Sequence, residues 1–201
     1  MKYIRESSED EMILEFLKGE IESERFQTQI MEILSTEREK LEIIKYGDLN
    51  NTTENLRRKE ILRIFRGYGS NTELFENFPK ISRWIFAEYV EEDIDNIRYI
   101  NYSYWNELSK NTSLPRIAAE TIREDNEIYG VSNAGFISGV KYLKEGGIFP
   151  PVILLTADNH NFIILEGHSR MTVYGLAPSF LKGSGCYVGF CEEKELLRWN
   201  G

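Results

Sequence analysis

Along the first part of the chain the apolar residues fall at three- and four-residue spacing, as in amphipathic helices; further on they gather into short continuous runs of strand length. Ser8 with Glu11 forms a capping box ahead of Met12, Ile13, Phe16 and Leu17, and Thr36 with Glu39 forms another ahead of Leu41 and Ile44. Between them Ile21, Phe26, Ile30, Ile33 and Leu34 share a helical stripe, so residues 8–46 are predicted to hold two or three helices, with Gly47 as a stop. The spacing predicts a further helix from Thr53 to Gly67 that buries Ile61, Ile64, Phe65 and Tyr68. Residues 72–90 continue the helical style through Leu74 and Phe75, break at Pro79, and resume with Ile81, Trp84, Ile85 and Tyr89.

After Asp95-Asn96 the pattern changes. Residues 97–105 are dense in aromatic and β-branched side chains and read as a strand. Ser113-Leu114-Pro115 opens a helix carrying Ile117, Ala118, Thr121 and Ile122. Asn133 opens the next, with Phe136, Ile137, Val140, Tyr142 and Leu143, and Gly146-Gly147 ends it. Pro150-Pro151 then forces extended geometry, and the runs Val152–Leu155 and Phe162–Leu165 form a hairpin around Asp158 and its neighbours. Beyond the glycine-rich connection at Gly183 and Gly185, which lacks a P-loop's lysine and spacing, Cys186–Phe190 reads as a closing strand. A terminal helix docks through Leu196 and Trp199. The expected fold class is α+β: an N-terminal helical domain over residues 1–94, then a small mixed-sheet α/β module over residues 95–201.

Charge narrows the partners. With 33 acidic against 24 basic side chains the formal net charge is -9, a field that repels a polyanion unless basic groups gather on one face. Arg57, Arg58, Lys59, Arg63 and Arg66 are the one such gathering, with Lys59, Arg63 and Arg66 on a single stripe of the predicted helix 53–67. They would serve either a nucleic-acid or acidic-partner contact or a solvated helix face, and the lack of interleaved aromatics favours the face. Cys186 and Cys191 have no accompanying ligands at metal spacing and point to opposite faces of their strand, as expected of reduced thiols. No stretch has the length and apolarity of a membrane span, and no apolar segment follows the charged N-terminus; a cytoplasmic protein without a membrane partner is expected.

The candidate chemistry lies at Glu166-Gly167-His168-Ser169-Arg170, where a buried strand passes straight into a helix. Such a turn aims unpaired amides and the positive end of a helix dipole at one point, where a phosphate is stabilised. Gly167 permits close backbone approach, Ser169 offers a hydroxyl, Arg170 a planar fork, and His168 a donor or proton carrier. Glu166 beside a phosphate site would hold a divalent cation or act as a base, or else cap the turn and pair with Arg170. Asp158 and His160 at the hairpin tip read as turn chemistry.

The stretch from Asn133 to Ala177 resembles the core of the ParB/sulfiredoxin-like superfamily: a helix, a glycine, a proline-led strand, a hairpin, then a Gly-x-x-Arg turn, here Gly167 to Arg170. The resemblance implies nucleotide phosphates at Gly167, His168, Ser169 and Arg170, with Glu166 and His168 as catalytic groups and Glu166 as the metal ligand. It also implies ATP, ADP or CTP as the ligand, with magnesium. His168 stands where sulfiredoxins carry their catalytic cysteine, Met171 where partition ParB proteins carry a second arginine, and Pro150 where a glutamine is common. Kinase-like members are closer, having an acid before the turn's glycine as Glu166 is here. The expected function is a nucleotide- or phosphate-ligand-binding protein, a phosphotransferase or nucleotide hydrolase if catalytic. The other class is a non-enzymatic regulatory or partition-type module that binds DNA or a protein partner.

Overall fold

Val152-Ile153-Leu154-Leu155 is apolar at every position because the strand it forms, β4 (Val152–Thr156), is covered on both faces. In the computed structural model, which describes residues 1–201, Ile153 and Leu155 point into one core and Val152 and Leu154 into another. The remaining strands are β1 (Lys2–Ser7), β2 (Arg83–Glu88), β3 (Ile97–Arg98), β5 (Phe162–Glu166) and β6 (Gly185–Phe190), and the six-stranded sheet runs β1-β2-β6-β4-β5-β3. It is mixed. The pairs β1/β2, β2/β6 and β4/β5 are antiparallel, while β6/β4 and β5/β3 are parallel.

Two helical layers cover the sheet. On one face lie α1 (Glu9–Ile21), α2 (Gln27–Glu37), α3 (Glu42–Lys45) and α4 (Thr52–Arg66), joined by the terminal helix α9 (Glu193–Asn200) through Leu196 and Trp199. On the other lie α5 (Ser103–Leu108), α6 (Pro115–Arg123), α7 (Ala134–Lys144) and α8 (His168–Leu176). Ser8 caps α1 by accepting from the Glu11 amide, Asn51 caps α4 in the same way, and left-handed Gly67 ends α4. The order α7, Gly146-Gly147, β4, β5, α8 follows the sequence reading, and the hairpin turns on Asp158, whose carboxylate accepts from the His160 and Asn161 amides. No helix is long and apolar enough to cross a membrane.

The α+β class holds, but several elements differ from expectation. Residues 83–88 are a strand, not a helix: Ile81, Trp84 and Ile85 mimic helical spacing because β2 lies inside the sheet and is apolar on both faces. Lys2–Ser7, given no element above, is an edge strand. β1 and β2 therefore carry the sheet across residue 95, so segment 1–94 is not purely helical and the sheet is not confined to 95–201. The strand expected over 97–105 is only Ile97–Arg98, after which the chain turns into α5. Thr36 caps nothing; it sits in the last turn of α2, which stops at left-handed Arg38.

Candidate functional site

Gly167 adopts φ 97°, a left-handed conformation that turns the end of β5 into the start of α8. A Cβ there would stand 3.0 Å from Val152 Cγ2, so bulk as well as backbone favours glycine. The first main-chain bond of α8 runs from the Met171 amide to Gly167 O at 2.9 Å; the amides of His168, Ser169 and Arg170 have no acceptor. These three donors and the positive end of the helix dipole face outward together.

The side chains of the turn are more committed than the spacing suggested. Arg170 Nη1 donates to Pro150 O at 2.9 Å and Pro151 O at 2.7 Å, and Nη2 donates to the Glu166 carboxylate. This ion pair is nearly enclosed, with side-chain exposures of 13% and 12%. The Arg170 fork thus clamps the Pro150-Pro151 bend to the turn, and Glu166 neutralises it. Neither group is free as phosphate fork, metal ligand or base while the pair is intact. His168 lies parallel to Trp105 with ring centroids 5.3 Å apart, and its Nε2 is buried without a partner. Burial, and then the Arg170 and Arg66 charges, push the imidazole down to about 3. It is a neutral ring across ordinary pH rather than an imidazolium. Ser169 is exposed.

The turn forms one wall of a cleft of about 930 Å³ whose other walls come from parts of the chain with no motif of their own. The end of α1 contributes Gly19 and Glu20, the α1–α2 connection Arg25 and Phe26, the end of α4 Arg66, and the start of α5 Trp105. Arg25 and Arg66 sit over the same Phe26 ring, at 4.7 and 5.0 Å from its centroid. Neither forms an ion pair or a side-chain hydrogen bond, and Arg66 Nε is buried and unpartnered. Like charges are normally held together by an anion between them or held apart. Here the acid that faces both guanidiniums is Glu20, which hydrogen-bonds to neither, in a cleft that the three unpaired amides also line. Glu20 is 7% exposed and lies close to Glu166. No group of three or more His, Cys, Asp or Glu side chains gathers to form a metal cage.

Other sequence candidates lie elsewhere. Lys59 pairs with Glu9 at 3.0 Å, Arg63 with Glu60 at 2.6 Å and Arg57 with Glu39 at 3.2 Å. Arg58 is fully buried, donating to Ile43 O, Asp48 O and the Glu54 carboxylate. The stripe Lys59, Arg63, Arg66 is therefore no free basic face: two members are ion-paired, and Arg66 turns into the cleft. Asp158 and His160 stay at the hairpin tip, outside the cleft. Cys186 and Cys191 are free and buried.

Sequence reasoning missed Glu20, Arg25, Phe26 and Trp105, and it assigned Arg66 to the wrong surface. The pair Arg25-Phe26 beside the i, i+4 stripe was the available signal, but its meeting with Arg66 is a tertiary contact. Compared with known protein families, with curated proteins and with solved structures, the chain finds no match in any of the three. Unpaired amides, two guanidiniums and aromatic rings line one cleft, a set of groups chemically suited to an anion.

Proposed function

We propose that the protein binds a phosphate-bearing small molecule, a nucleotide in the first instance, in the cleft between the end of α1, the end of α4 and the start of α8. The observation that carries the reading is that Arg25 and Arg66, both over the Phe26 ring and without a hydrogen-bonded acid, line the same cleft as the unpaired amides of His168 and Ser169. The phosphate sits on the helix N-terminus at Gly167, His168, Ser169 and Arg170, and the two guanidiniums close over it. Tyr102, exposed on the rim, offers a ring for a base beside Trp105, whose own ring is stacked with His168 and Tyr99. The likeness to the ParB/sulfiredoxin-like superfamily supports the same ligand class, ATP, ADP or CTP, and a cytoplasmic setting remains part of this proposal.

Arg170 holds the turn in shape in this reading, through the carbonyls of Pro150 and Pro151 and through Glu166. With Glu166 engaged and no cluster of three ligating side chains, the chain offers no preformed cage for magnesium. The seat for the anion is the protein's own amides and arginines. Nothing in the ion-paired Lys59 and Arg63 favours the regulatory, nucleic-acid-binding alternative.

A thermal-shift panel of nucleoside di- and triphosphates, pyrophosphate and phosphate, each with and without magnesium, tests the reading. A ligand at a hundredfold excess over its dissociation constant adds about 2.7 kcal/mol. For a chain of this size that is a rise of roughly 5–10 °C. No shift from any member of the panel removes the reading.

A further inference from the structure

Glu20 lines the cleft as an acid without a hydrogen-bond partner. Its carboxylate makes no hydrogen bond and no ion pair, yet the residue is only 7% exposed. It lies in the last turn of α1, where the negative end of the helix dipole disfavours an anion. Its position is fixed by the residue before it: a Cβ on Gly19 would stand 3.1 Å from both Arg170 Nη2 and Glu166 Oε1, so the end of α1 is pressed onto the buried ion pair of the turn.

The charged groups that face Glu20 are Glu166 at the end of β5, Arg170 on α8, Arg66 on α4 and Arg25 on the α1–α2 connection. Two of these neutralise one another, and the other two are the guanidiniums assigned to the ligand. Burial, followed by the Glu166 charge, pushes the Glu20 carboxyl up to about 7, against the opposing pull of Arg66, Arg170 and Arg25. A phosphate brought to the start of α8 would meet either a repelling carboxylate or a carboxyl group able to donate.

We infer that Glu20 is the proton-carrying contact of the site: in its carboxylic acid form it donates a hydrogen bond to an oxygen of the bound anion, so that binding above neutral pH takes up one proton from solvent. The inference rests on the phosphate reading of the cleft and adds the ligand's proton coupling to it. The ligand class it selects is a fully ionised phosphate, whose oxygens accept and do not donate. The sign follows from charge. An anion beside Glu20 favours its protonated form, so affinity is greatest where the acid is already protonated and falls as pH rises.

The probe is inorganic sulfate, a dianion of phosphate shape with no proton to exchange near neutral pH, titrated without metal and in the presence of EDTA. Tryptophan fluorescence reads occupancy, since Trp105 and Trp199 line the cleft. Wild type should lose about tenfold in affinity per pH unit above neutrality, the slope of one linked proton. Calorimetry in two buffers of different ionisation enthalpy should show uptake of about one proton at pH 8. Glu20→Gln keeps a donor of the same shape but cannot exchange a proton, so its affinity should be flat with pH and its proton uptake absent. A flat wild-type profile, or the same slope in both proteins, overturns the inference while leaving the anion seat in place. A second titration with magnesium in place of EDTA that strengthens binding in wild type alone overturns it too, by making Glu20 a cation ligand. Absence of sulfate binding in both proteins, together with a silent nucleotide panel, removes the phosphate reading itself and the inference with it.

Discussion

Glu20→Gln should stabilise the protein in a pH-dependent way that can be worked from the burial of that carboxyl. Its ordinary value is 4.5 and burial raises it to about 7 in the folded state. Below 4.5 the acid is protonated folded or unfolded and imposes no charge penalty. Between 4.5 and 7 the unfolded chain releases the proton first, so stability falls as pH rises; above 7 the penalty is complete. At about 1.4 kcal/mol per pH unit the ionised carboxylate costs about 3 kcal/mol at pH 8 and less than about 1 kcal/mol at pH 5. Gln deletes the charge but leaves a buried amide whose own cost is the same at both pH values. The difference between the mutational effects at pH 8 and pH 5 isolates the charge and should be about 2–3 kcal/mol, in favour of Gln at the higher pH. Urea denaturation of both proteins at the two pH values, in buffer free of sulfate and phosphate, reads it directly. Equal effects at pH 5 and pH 8 would refute the buried, unpaired carboxylate on which this reasoning stands.

Removing Arg170 should be costly to folding, because Arg170→Ala leaves the Glu166 carboxylate and the Pro150 and Pro151 carbonyls without their donors. A loss of roughly 3–5 kcal/mol is expected in urea denaturation, with Arg170→Lys recovering only part of it for want of the planar fork. An Arg170→Ala protein as stable as wild type would show that the clamp contributes nothing. His168, ordinarily near 6.5 and held down to about 3, favours the folded state while neutral. That contribution is complete above 6.5 and lost as pH falls toward 3, since the unfolded imidazole takes a proton that the folded one refuses. His168→Phe keeps a ring against Trp105, and its melting temperature should fall less than that of wild type between pH 7 and pH 4; parallel falls would place the acid sensitivity elsewhere.

Elements with local punctuation were legible from the sequence, and those set by neighbours were not. Gly67 ends α4, Pro115 opens α6, and the prolines and Asp158 frame the β4–β5 hairpin, each through backbone chemistry that acts over a few residues. β2 was misread because a strand buried on both faces loses the alternation that marks it, leaving Trp84 and Ile85 to imitate a helix. β1 carries almost no apolar signal because it is an exposed edge held by its pairing with β2. The site divides in the same way. Gly167 and the open amides after it are written in a five-residue turn, whereas the Arg25–Phe26–Arg66 cluster and the buried Glu20 arise only when α1 and α4 pack across the start of α8. The same packing decides that Arg170 is a clamp, since its partners Pro150 and Pro151 reach it only after the hairpin closes.

The central claim is that Arg25 and Arg66 hold the anion, and titration calorimetry of wild type beside an Arg25→Gln/Arg66→Gln double variant tests it most directly. The titrant is the panel's most stabilising nucleotide. Each charge-assisted contact contributes about 1.5–3 kcal/mol, so the double variant should bind at least a hundredfold more weakly. Its melting temperature without ligand should stay within a few degrees, because neither guanidinium has an ion-pair partner to lose. Unchanged affinity in a folded double variant would contradict the account and move the anion away from this cleft.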